Sequence, residues 1–215
     1  MIVMSRVRIV LVLAAVVLAT TSGCETPRAT EQDRPAPSAA GEATLAARLA
    51  VGSTRHVGVS AANTKLNFRA QAPNRAVGRT LIAAYARADI DDVVGGEDLG
   101  GKANVIQVLY EGDLLITEKR WNTAVIQTQE QYGLGLTESP RAGEYLHSKQ
   151  YDDVTVWYHD PVALVETTST GGVMLPGVYI GVAAAQWFVD GVSYIISAPD
   201  ATAQDLLGVA ETMLP

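Results

Sequence analysis

The last thirty residues, Gln186 to Pro215, restrict the fold more than any other stretch of the chain. Trp187, Val189, Val192, Tyr194 and Ile196 carry the apolar positions on either side of Asp190-Gly191, a dipeptide that accepts positive φ and so closes a tight hairpin. A helix is expected at once afterwards. Asp200 is the expected N-cap, and Leu206, Val209, Ala210 and Met213 follow at i, i+3, i+4 and i+7. Each large apolar side chain contributes about 1.5–3 kcal/mol when fully buried, so this stripe is expected to dock on the sheet that precedes it.

Further upstream the same periodicities recur. Glu42–Ala50 has helical spacing, and Arg55–Ala61 with Lys65–Ala70 reads as a hairpin around Ala62-Asn63-Thr64. Thr80–Ile90 fits either period and is read as a strand. Asn104–Tyr110 and Leu114–Trp121 form a second expected hairpin through Glu111-Gly112. Ala124–Thr128, Val154–Tyr158, Val162–Thr167 and Val178–Ala184 read as further strands. Gly133–Lys149 reads as a loop with a helical turn, and Ser169–Gly177 as a Gly-rich loop. The expectation is an α+β fold: a mainly antiparallel curved sheet with a few helices packed on one face, ending in a hairpin followed by an amphipathic helix. Residues 42–215 are expected to form one domain, and with one cysteine in the chain no disulfide can staple it.

The other end of the chain bears on location. Arg6 and Arg8 precede an unbroken apolar run, Ile9–Ala19, and Thr20-Thr21-Ser22-Gly23 leads with small residues into Cys24. The run is too short for a spanning helix, which needs about 20 apolar residues, so residues 1–23 read as a signal peptide. A small-residue pair directly before the lone cysteine resembles the lipobox of bacterial lipoproteins, although Thr21 stands where that motif most often has Leu. The resemblance implies cleavage before Cys24 and a diacylglycerol on its sulfur, which would anchor the chain to the bacterial cell membrane on its extracytoplasmic side. The alternative is an ordinary signal peptide with a chance cysteine. Residues 24–41 hold Pro27, Pro35 and Pro37 and no large apolar side chain, and read as a disordered tether. Loss of the two signal arginines takes the formal charge from −7 to −9, a balance that repels nucleic acid.

Trp187, Asp190-Gly191, Tyr194, Ile196-Ser197, Asp205-Leu206-Leu207, Val209-Ala210 and Thr212-Met213, with Phe68–Gly78 and Val105–Thr117 upstream, resemble a family of uncharacterised extracytoplasmic domains. These domains occur in bacterial lipoproteins and in membrane proteins associated with anti-sigma factors. The likeness spans roughly Asn67 to Leu214 and implies no catalytic residues. A more distant likeness, on architecture alone, is to the lipoprotein-carrier-like fold, whose curved sheet wraps an apolar groove.

Candidate chemistry is sparse. Gly96–Lys102 has the spacing of a phosphate-binding loop, but Ala103 replaces the magnesium-binding hydroxyl and two acids sit inside it. Asp89, Asp91, Asp92, Glu97 and Asp98 lack the ligand order of a calcium loop. His56, His147 and His159 have no partner at metal-ligand spacing. Gly58-Val59-Ser60-Ala61-Ala62 lacks the last glycine of a nucleophile elbow, and its surroundings read as a hairpin. No catalytic residue, metal or cofactor is therefore expected. Met174 and Leu175, in an apolar loop, with Trp121, Trp157 and Trp187 on strands, are the residues that could line or cover a groove for an acyl chain or peptide. The ranked expectation is a membrane-anchored, non-catalytic interaction module with a protein partner at the cell envelope. A carrier of an apolar lipid ligand is the alternative, and a hydrolase a distant third.

Overall fold

A computed structural model describes residues 39–89, 102–121, 126, 128–137, 142–162, 169–170, 173–174 and 181–215. Cys24, Leu175 and the acidic stretch from residue 90 to residue 101 lie outside the described residues, as does most of each strand expected over Ala124–Thr128 and Val162–Thr167. The elements in chain order are α1 (Ala39–Ala50), β1 (Thr54–His56), α2 (Val59–Asn63), β2 (Arg75–Ala76), β3 (Arg79–Arg87), β4 (Val105–Tyr110), β5 (Leu115–Arg120), α3 (Gln129–Thr137), α4 (Ala142–Tyr145), β6 (His147–Tyr151), β7 (Val154–His159), β8 (Ser169–Thr170), β9 (Val173–Met174), β10 (Ala183–Val189), β11 (Val192–Ala198) and α5 (Ala203–Met213). The fold is α+β. Nine strands make one open antiparallel sheet in the order β1-β3-β4-β5-β11-β10-β7-β6, with β2 beside β3, and β8–β9 is a separate small ladder.

Two of the expected hairpins are in place, and they meet at the centre of the sheet. Strand β5 pairs with β11, seventy-odd residues later in the chain, from Leu115↔Ser197 to Arg120↔Val192. The C-terminal turn has Asp190 at φ 50° and Gly191 at φ 78°, the left-handed pair that a two-residue hairpin of matching twist requires. Ile106, Val108, Tyr110, Ile116, Trp187, Tyr194 and Ile196 project to one face and pack with Leu206, Leu207, Val209, Ala210 and Met213 of α5 in the main core. Alternation sends their neighbours to the other face. There Leu45 and Leu49 of α1 cover Ala83, Tyr85, Leu109 and Leu115, and Tyr132 of α3 covers Trp121 and Phe188. Helices thus occupy both faces of the sheet, where the sequence pointed to one.

Helix α5 is capped by Thr202, not Asp200. The Thr202 hydroxyl accepts from the Asp205 amide (3.2 Å), and the Asp205 carboxylate accepts from the Thr202 amide (2.9 Å), a reciprocal capping box. Asp160 also accepts from the Ala203 amide (2.8 Å). Asp200 pairs instead with Arg79 (2.7 Å).

The hairpin expected over Arg55–Ala70 does not form. Strand β1 is followed by the short helix α2, and the chain from Leu66 to Ala76 then crosses the main core face, burying Leu66, Ala70, Ala72 and Ala76. The Asn63 side chain holds the start of this crossing by accepting from the Ala70 amide (2.8 Å). Glu118 holds its middle. Its carboxyl group is fully buried among apolar side chains and accepts from the amides of Gln71 (3.0 Å) and Ala72 (2.6 Å). Tyr110 reaches from the neighbouring strand to donate to the Pro73 carbonyl (2.5 Å). Local hydrogen bonding to side chains replaces the ladder that alternation alone suggested.

Strand β6 is one edge of the sheet. All but Tyr151 of its side chains are exposed. Lys149 at its centre pairs with Glu211 of α5 (3.2 Å), which also accepts from the Tyr151 hydroxyl (2.6 Å).

Candidate binding cleft

Where α3 begins beside β7, an open cleft of about 430 Å³ is lined by Thr128, Gln129, Glu130, Asp153, Thr155 and Trp157. Local sequence builds its rim. Thr128 and Gln131 cap the helix reciprocally: the Thr128 hydroxyl accepts from the Gln131 amide (3.2 Å) and the Gln131 side chain accepts from the Thr128 amide (3.3 Å). In the amide orientation that satisfies both ends, Gln129 donates to the Asp153 carbonyl (3.0 Å) and accepts from the Thr155 amide, pinning the helix start to β7. The Thr155 hydroxyl donates to Gln150 (2.7 Å).

The floor is Trp157, half-buried and packed under helix α3. A Cβ added at Gly133 would stand 2.6 Å from its Cζ2, so the helix approaches this indole as closely as a glycine allows. Tyr132 lies between Trp157 and Phe188, with centroids 6.0 and 5.6 Å away. Burial drives the Tyr132 phenol far above its ordinary pKa. Once Gln129 and Thr155 are engaged, what faces the cleft is an indole and two carboxylates, Glu130 and Asp153, both exposed.

Of the five residues expected to line or cover a groove, the three tryptophans do not share one. Trp157 lines the cleft. Trp121 sits behind it, sealed against Tyr132 and Phe188, with its Nε1 donating to the Ser193 hydroxyl (2.8 Å) and the Lys119 ammonium 3.9 Å from its ring. Trp187 points the opposite way. It is fully buried in the main core and stacked on Tyr194 (5.0 Å, 6°), so it shares no groove with Trp157. Met174 lies on β9, in a two-residue pairing with β8 where a Gly-rich loop was expected. Leu175 is outside the described residues.

The remaining sequence candidates have structural roles or stay apart. Asp89 pairs with Lys119 (3.0 Å). Among the described residues no three His, Cys, Asp or Glu side chains gather to hold a metal ion. His159 is fully buried with Nδ1 2.9 Å from the Asp160 carbonyl, and burial lowers its pKa. Ser60 lies in α2 just after a strand, which is the element order of a nucleophile elbow, but it is exposed and no histidine hydrogen-bonds to it among the described residues.

A second hollow of about 290 Å³ lies toward the β1 edge and includes Lys65, Arg87 and Lys102. Arg87 is already engaged by other groups of the chain, which leaves this hollow less free than the cleft.

Sequence reasoning found Trp157 from its strand position and missed Glu130 and Asp153. The legible signal was Thr128-x-x-Gln131, a capping box that marks a helix start. Comparison with family models, curated proteins and solved structures finds no match to this chain.

Proposed function

We propose that this chain is a membrane-anchored extracytoplasmic lipoprotein that acts as a non-catalytic interaction module at the cell envelope. The signal and lipobox-like residues before Cys24 support the location. One observation carries the module reading: the sheet is packed by its own helices on both faces, and the cleft between α3 and β7 is open to solvent. An acyl carrier needs an enclosed apolar space of about 300–1,000 Å³ for its ligand. Here Trp187, Tyr110, Ile106, Ile116, Leu206 and Leu207 are buried together on the main face, where a carrier would need its ligand space. The anchor we propose is Cys24, on the lipobox-like residues before it; among the described residues no helix is long and apolar enough to cross a membrane.

The test is in-cell photo-crosslinking from a probe placed at Gln131, on the exposed rim beside the cleft. The expected result is a discrete protein adduct, lost when the probe is moved to the opposite sheet edge at Ser53. Adducts with lipid alone, or an acyl species that co-purifies with the full chain and leaves on denaturation, would restore the carrier reading.

A further inference from the structure

The chemistry left free in the cleft names the kind of partner group it suits, an inference that rests on the module reading. We infer that the cleft receives an arginine side chain of a partner protein, its guanidinium lying against the Trp157 indole and pairing with Glu130 and Asp153.

The carboxylates of Glu130 and Asp153 have no hydrogen bond or ion pair among the described residues. Several acids elsewhere are engaged: Asp89 with Lys119, Asp200 with Arg79, Glu211 with Lys149 and Tyr151, and Glu111 with the Thr80 amide. The exposed side chains of Glu144 and Asp152 are as unpaired as the cleft acids among the described residues; what distinguishes Glu130 and Asp153 is that both line one cleft with a partly exposed indole. Among the described residues no lysine or arginine lines the cleft to neutralise the pair. Of the three tryptophans, Trp121 and Trp187 are sealed, and only Trp157 offers part of its ring to solvent. An indole beside two uncompensated carboxylates attracts a cation through both its quadrupole and the local charge. The acidic balance of the chain adds long-range steering of the same sign.

An anion is disfavoured even though the N-terminus of α3 opens here. Glu130 already occupies the first turn of the helix, where negative charge is stabilised, and the Thr128–Gln131 box satisfies the Gln131 amide. Between cations, guanidinium fits better than ammonium. It is planar enough to stack on an indole, is more weakly hydrated, and presents five donors that can serve two carboxylates at once.

The experiment uses the full chain in detergent micelles, followed by tryptophan fluorescence during titration with a blocked Gly-Arg-Gly peptide. Blocked Gly-Glu-Gly and the neutral sugar chitotriose serve as comparators. The arginine peptide is expected to give a saturable change and the glutamate peptide none. Glu130→Gln and Asp153→Asn are each expected to weaken binding about three- to tenfold, and raising salt from about 50 to about 500 mM to weaken it further. Both positions are exposed, so these near-isosteric variants leave the fold intact, which far-UV circular dichroism checks. Equal response to both peptides, no response to arginine, or chitotriose binding that is indifferent to both substitutions overturns the inference. A cleft-specific protein adduct in cells that survives the double substitution overturns the arginine assignment and keeps the module reading. Absence of any such adduct removes both.

Discussion

Glu118 makes stability depend on pH in a direction opposite to that of an ordinary salt-bridged carboxylate. It is fully buried on the main core face, opposite Ile106 on one side and Tyr194 on the other, and among the described residues its hydrogen-bond donors are the amides of Gln71 and Ala72. Burial outweighs those two amides and pushes the carboxyl up to about 7. The folded chain therefore holds a proton that the unfolded chain releases near pH 4.5. Stability from this group is complete below that value, declines as pH rises toward about 7, and is lost above it. The difference corresponds to about 3 kcal/mol across the window. Glu118→Gln keeps an acceptor for the crossing segment and removes the titration. Urea unfolding of the full chain at intervals from pH 4.5 to pH 8 is the assay. The wild type should lose about 3 kcal/mol relative to the variant over this range, with the gap opening between pH 5 and 7. Parallel pH profiles for the two proteins would refute the assignment of a buried, cation-free carboxyl.

Other perturbations have equally definite outcomes. Thr202→Ala removes the hydroxyl of the capping box and should cost about 1 kcal/mol, read as a lowered thermal midpoint. Gly133→Ala places a methyl 2.6 Å from Trp157; it should cost about 1–3 kcal/mol and shift the indole emission, and an unchanged spectrum would show that α3 does not press on this ring. His159 is held neutral by burial, so its folded pKa lies below the unfolded value. Its contribution is complete above about pH 6.5 and is lost as pH falls, and His159→Asn should flatten that acid limb. Cys24→Ser should move the protein from the membrane fraction to the soluble fraction, whereas retention in the membrane would refute anchoring at this residue.

The parts of the fold that were legible in the sequence are those written in short-range pattern. The Asp190-Gly191 turn, the alternation within β4 and within β5 and the stripe of α5 each lie within a dozen residues, so periodicity and turn chemistry suffice. Contacts between distant segments decided the rest. Arg55–Ala70 alternates well enough for a hairpin, yet Glu118, nearly fifty residues away, captures the backbone just after it and lays the chain across the core. Gly133 and Gly135 make α3 read as a loop, because glycine weakens a helix wherever nothing else favours it. Here the missing side chain at Gly133 is what lets the helix seat on Trp157. Asp200 precedes the last helix as a cap should, but Arg79 claims its carboxylate and Thr202 takes the role two residues later. The cleft was illegible for the same reason: Glu130 and Asp153 belong to separate elements and no spacing rule connects them.

A chain anchored at Cys24, as proposed, would meet its neighbours in two dimensions, where encounters between like edges are frequent. Strand β6 would be the obvious place for two copies to zip into a continuous sheet. Its central Lys149 is fastened by Glu211 so that a charge stays at the middle of the edge. Two such edges approaching each other would crowd two Lys149–Glu211 pairs together and strip water from both. A charged, hydrated edge of this kind disfavours strand-to-strand pairing between copies.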